Sequence, residues 1–203
     1  MLERMHLNAS QQSPLPPVKA WIAVAKCVAT TAELLARRQI HQPRTYVDER
    51  LHFADGTSAR VYRETVVDRP PPTEPTVLAV AFRLRGVRGR GHALFRLESE
   101  LNTPLFVGFD GFVSKLWLAH DDQGTYRGLY EWDSASLAEA YARALWRVLA
   151  LVSVRESIRY HVIPGVHRDA LLQNPAMVSA EGREDWWRLT AAQLPRSPMN
   201  RVH

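Results

Sequence analysis

Apolar residues recur near every 3.6 positions from Val18 to about Arg38, at Trp21, Val24, Ala25, Val28, Leu34 and Leu35, and predict a helix. Arg37 and Arg38 suit its C-terminal end. Between Tyr46 and Val67 the period drops to two. Tyr46–Phe53 and Arg60–Val67 alternate about Asp55-Gly56, a pair that tolerates the positive φ of a hairpin turn. Arg69-Pro-Pro-Pro-Thr-Glu-Pro75 can carry no regular ladder and reads as a stiff extended linker. Beyond it come a buried strand (Thr76–Leu84), an Arg/Gly loop (Arg85–Gly91), a short helix (His92–Leu101), a strand (Phe112–His120), a turn (Asp121–Gly124) and a second hairpin strand (Thr125–Trp132). Ser136–Val152 is the strongest helix. Leu137, Ala140, Tyr141, Ala144, Leu145, Val148 and Val152 form its apolar stripe, and Ser136 with Glu139 makes a capping box. Ser157–Ile163 is a last strand, stopped by Pro164-Gly165.

The order β-α-β-β-α-β over residues 76–165 is the ferredoxin-like arrangement, an α+β fold. Around it the chain divides into a disordered tail (1–17), a helix and β-hairpin extension (18–68), the proline-rich linker (69–75) and a C-terminal tail (166–203). That tail carries Trp186 and Trp187 on an expected short helix near Glu184–Ala192. Two strands alone bury too little to be stable, so the extension should dock on the barrel domain or on another subunit.

Strand residues alternate between faces, which assigns two sets. Leu78, Val80, Phe82, Leu84, Phe112, Leu116, Leu118, Tyr126, Tyr130, Trp132, Ile158, Tyr160 and Val162 form an apolar set suited to the helix-covered face. Ala79, Ala81, Arg83, Val113, Lys115, Trp117, Arg127, Leu129, Glu131, Arg159, His161 and Ile163 form a mixed one. A mixed face fits a semi-polar chamber closed by a second sheet, or a solvated surface with scattered ion pairs.

The 203 residues include one cysteine, which rules out an internal disulfide and suits a reducing, cytoplasmic setting. No apolar run approaches a membrane span. The net charge is +5 and only Lys19, Lys26 and Lys115 are lysines, but the arginines are interleaved with 21 acids. That spread argues against a nucleic-acid partner, which would want one basic face or arm.

The mixed face offers the sharpest chemistry. His161, flanked by Arg159 and Lys115, would be a neutral base near pH 7, able to deprotonate a phenol while the cations hold the phenolate as it meets dioxygen. Trp117 could stack on an aromatic substrate, with Arg83 and Arg127 as further anion holders and Glu131 neutralising Lys115 or Arg127. The bland alternative is a hydrogen-bonded strand histidine beside a core tryptophan. The loop Arg83–Gly91, with four arginines and three glycines, could seat an anion. No metal site is expected: His120-Asp121-Asp122 occupies a turn that favours acids, and His161 and His167 straddle Pro164-Gly165. No cofactor is required, although haem through His161, His92 or His120 stays open. Cys27 lies on an apolar stripe, where an inert thiol is the rule.

Phe112-Val-Ser-Lys115-Leu-Trp117, the turn into Tyr126-Arg-Gly128-Leu-Tyr130-Glu-Trp132, and the following helix with Ala138, Ala140 and Tyr141 resemble the YdhR-type monooxygenase family of the dimeric α+β barrel superfamily, over about residues 76–165. The resemblance implies a homodimer with a chamber between two sheets. It implies a cofactor-independent monooxygenase-like enzyme acting on a small aromatic or planar substrate. The alternative is a non-catalytic ligand-binding or assembly protein on the same dimeric fold. A closed pocket lined by Lys115, Trp117 and His161 would favour the enzyme; a filled or flat face would favour the binder.

Overall fold

The computed structural model describes residues 14–86, 106–178 and 185–193. Its elements are α1 (Pro17–Ala36), β1 (Ile40–His41), β2 (Arg50–Phe53), β3 (Ser58–Val67), β4 (Thr76–Arg83), β5 (Phe112–Leu118), β6 (Thr125–Trp132), α2 (Ala135–Val152), β7 (Arg159–Pro164), α3 (Arg168–Gln173) and β8 (Leu189–Gln193). The strands form one antiparallel sheet in the order β7-β4-β6-β5-β3-β2-β8, with β1 also on β3. The run β7-β4-β6-β5 is the strand order of a ferredoxin-like sheet, and the chain is α+β. Most of the expected Arg85–Gly91 loop and all of the His92–Leu101 helix lie outside the described residues.

The hairpin forms as its pattern predicts, with Gly56 at φ 79° in the turn, and β3 pairs with β5. The proline-rich stretch 69–75 therefore joins two strands of the same sheet. On one face α1 and α2 cover a cluster built from Leu78, Val80, Phe112, Tyr130, Trp132, Ala138 and Tyr141. α1 presses Cys27 and Thr31 so closely against the 106–111 turn that a Cβ on Gly108 would lie 2.0 Å from the Cys27 carbonyl oxygen. The cap of α2 is Ser134 rather than Ser136; its hydroxyl accepts from the Leu137 N–H at 3.4 Å.

The largest correction concerns the C-terminal segment. The expected helix near Glu184–Ala192 is instead a turn at Trp186 and Trp187 followed by strand β8, which pairs with β2. An unpaired β2 edge offers ladder partners that a short polar helix would leave empty. The segment thereby crosses the second sheet face, where Trp186, Trp187, Leu171, Leu172 and Leu189 pack on Ala79, Ala81, Leu116, Leu118, Leu129 and Ile163. The face expected to meet another sheet or water is covered by the same chain.

Candidate functional site

On that covered face, His161 lies flat against Trp187, ring centroids 3.7 Å apart at 9°. Arg159 sits 4.9 Å from the Trp186 ring. Arg127 is buried and fully engaged: Nη1 donates to Asp121 (2.6 Å), Nη2 to Asp55 (2.9 Å) and Thr57 Oγ1 (2.9 Å), and Nε to the Trp186 carbonyl (3.3 Å). One guanidinium thus ties together the β2–β3 turn, the β5–β6 turn and the C-terminal segment. Asp121 also accepts from the Gln123 and Thr125 N–H groups, so its turn role accounts for it. Glu131 does not reach Lys115 or Arg127; its carboxylate lies 2.8 Å from His167 Nδ1. Arg83 is exposed at the end of β4. Between the tryptophans and the sheet there remains a cavity of about 10 Å³, bounded by Phe53, Leu118, Arg127 and Leu129 among others. That is room for about one water molecule. Among the described residues, no three His, Cys, Asp or Glu side chains converge as metal ligands would.

Lys115 and Trp117 are not on this face. The β5–β6 register shifts between Phe112 and Ser114, and this bulge exchanges the parity of everything after it. Leu116 and Leu118 point to the covered face, while Lys115 and Trp117 point under the helices with Phe112. The expected trio of His161, Arg159 and Lys115 is therefore divided by the sheet. Strict alternation assigned β5 wrongly because a bulge leaves no mark in the apolar pattern.

The bulge assembles a different group. Lys115 faces Thr65 across the strands and Trp117 faces Arg63. Trp117 Nε1 donates to Thr65 Oγ1 at 3.1 Å, which fixes the indole plane. The Lys115 ammonium nitrogen lies 3.2 Å from the Trp117 ring centroid, 4.3 Å from Phe106 and 4.6 Å from Tyr130. The Arg63 guanidinium carbon lies 3.8 Å from the same indole. Gly128 makes room for this cage, since a Cβ there would stand 2.7 Å from the Tyr130 ring. Lys115 is only 6% exposed, and among the described residues the one charged group that acts on it is the Arg63 cation, with no carboxylate. Burial pushes its ammonium well below the usual lysine range, and the Arg63 cation adds to that. Tyr130 and Tyr141, joined hydroxyl to hydroxyl at 3.3 Å, are both raised by burial and stay neutral phenols. Sequence reasoning named Lys115 and Trp117 but missed Arg63 and Phe106, whose only signal is proximity across the bulge.

No protein-family model matches the chain. No curated protein matches it either. Among solved structures, one similar chain is an uncharacterized ferredoxin fold protein related to antibiotic biosynthesis monooxygenases from Listeria monocytogenes, at 12% identity and a TM-score of 0.39. That match covers 55% of this chain and 66% of the other, just under two thirds of its length. A second is a major regulator of staphylococcal pathogenesis, at 14% identity and a TM-score of 0.35, covering 67% of this chain and 91% of that one.

Proposed function

We propose that the chain is a non-catalytic ligand-binding protein that holds a small planar anion, an aromatic carboxylate or phenolate, against Lys115 and Trp117. The observation that carries this reading is the Lys115 amine, buried among three aromatic rings with no carboxylate against it among the described residues. An amine in an apolar cage costs stability unless a partner or a function offsets it. An incoming carboxylate lets Lys115 take up a proton and form a charge-assisted hydrogen bond, while the rings accept the flat body of the ligand. Binding rather than turnover is favoured because His161 lies across the sheet from Lys115, under Trp187.

The test is a titration of the full chain with benzoate, salicylate and 4-hydroxybenzoate, followed by tryptophan fluorescence and melting temperature. Saturable binding is expected, weakened about 10- to 100-fold by Lys115→Met, the worth of one hydrogen bond to a charged group. Because the complex takes up a proton, affinity should fall as pH rises above the pKa of the free amine. Absence of saturable binding, or equal binding by Lys115→Met, ends the reading. Dioxygen uptake with these phenols that His161→Ala abolishes would restore the oxygenase instead.

A further inference from the structure

The Lys115 amine is set up as a nucleophile. Three aromatic rings stand around its nitrogen, Trp117, Phe106 and Tyr130, with centroids at 3.2, 4.3 and 4.6 Å. The charge acting on it is the Arg63 cation, and Arg63 shares the Trp117 indole, its guanidinium carbon 3.8 Å from the ring centroid. A lysine desolvated among apolar walls, or set next to another cation, gives up its proton and keeps a free lone pair in neutral water. Lys115 meets both conditions at once. The same walls decide which electrophile suits it. A charged reagent leaves its hydration shell behind on entering such a cage, whereas a small uncharged molecule has little to lose. The smaller the electrophile, the less it disturbs rings already fixed, Trp117 by its 3.1 Å bond to Thr65 and Tyr130 by its 3.3 Å contact with Tyr141.

We propose that Lys115 is a carbamate-forming site for carbon dioxide. The Nζ lone pair attacks the carbon, a C–N bond forms, and one C–O π bond opens to leave its electron pair on oxygen. The nitrogen releases one proton to water. Amine and carbon dioxide thus become a carbamate anion and a hydrated proton, with no change of oxidation state. Arg63 favours the product for the reason that it disfavours the ammonium: a cation beside this nitrogen stabilises a negative group and repels a positive one. The proposal rests on the reading of Lys115 as the anion-holding residue and supplies its regulation. A Lys115 carbamate has no proton to take up and carries a negative charge of its own, so carbon dioxide and an aromatic carboxylate exclude each other. Lys19 and Lys26, the other two lysines, are exposed to water and provide the comparison within the chain.

The test equilibrates the full chain at neutral pH with isotope-labelled carbon dioxide and bicarbonate. Triethyloxonium then traps any carbamate as its ethyl ester, and peptide mass spectrometry locates the label. An ester on the peptide that carries Lys115 is expected, saturating with carbon dioxide and exceeding the ester on Lys19 or Lys26 at least 10-fold. The preference should vanish when the chain is unfolded in guanidinium chloride before trapping. In the folded protein, benzoate should displace the Lys115 label, and carbon dioxide at constant pH should weaken benzoate binding by the same factor, since the coupling is reciprocal. A folded chain with no ester on Lys115 overturns the proposal, and saturable benzoate binding in that same sample leaves the ligand reading standing. Equal labelling of all three lysines overturns it too, as does benzoate binding that ignores carbon dioxide while Lys115 is fully labelled. Selective labelling of Lys115 without any benzoate binding supports the carbamate site and ends the ligand reading alone.

Discussion

Lys115 spends its charge to sit where it does. Its nitrogen is stacked on the Trp117 ring, and a cation over a desolvated indole recovers about 2 kcal/mol. That recovery favours the ammonium, yet desolvation and the Arg63 cation outweigh it and hold the pKa well below the usual lysine value. Between that lowered pKa and about 10.4, the unfolded chain binds a proton that the folded one does not. Stability must therefore rise with pH across that window, and the penalty is fully present below the folded-state pKa. Lys115→Met, which keeps the volume and removes the amine, should raise the melting temperature at pH 7 and raise it much less at pH 10. The gain is about 1.4 kcal/mol for each unit by which burial lowers the amine. Chemical denaturation at the two pH values checks this; a Met variant less stable than wild type at pH 7 would mean the cation–π contacts outweigh desolvation.

At the level of elements, two local devices set what the sheet and helices present. One is the β5 bulge, which turns Lys115 and Trp117 under the helices and sends Leu116 and Leu118 to the covered face. The other is Gly108, whose missing side chain lets the backbone of α1 approach the 106–111 turn. An added methyl would lie 2.0 Å from the Cys27 carbonyl oxygen and 2.8 Å from the Thr31 nitrogen, both backbone atoms that cannot swing aside. Gly108→Ala should therefore force α1 outward and cost about 1–3 kcal/mol, the usual toll of overpacking. Urea unfolding reads this directly, and an unchanged midpoint would show that α1 is held by its remaining contacts alone.

For the whole molecule, the C-terminal segment behaves as part of the core. It is fixed by β8 on β2, by Arg127 on the Trp186 carbonyl, by His161 under Trp187, and by Arg168, whose guanidinium pairs with Glu64 at 2.8 Å. Trp187→Ala should cost about 3–5 kcal/mol, as a buried tryptophan does when truncated. Removing residues 166–203 should expose the apolar covered face, giving aggregation and binding of hydrophobic dyes. A truncated chain that melts like the full one would show the segment to be an appendage. Among the described residues no helix is long and apolar enough to cross a membrane.

Helices α1 and α2, the Asp55-Gly56 hairpin and strands β4 to β7 were legible in the chain because each is a local property: apolar period, turn chemistry, a proline stop. The strand order β7-β4-β6-β5 followed from their succession. The composition of the candidate site did not. Which side Lys115 faces depends on one extra residue in β5, and a bulge is decided by cross-strand pairing rather than by the residues it displaces. Why the mixed face is dry depends on Trp186 and Trp187, more than 50 residues from the strand β6 they cover. The Leu-Thr-Ala-Ala-Gln run of β8 has no strand period of its own and became a strand because β2 offered an open edge. Short-range pattern fixes elements; long-range pairing fixes faces, and a site is a property of faces.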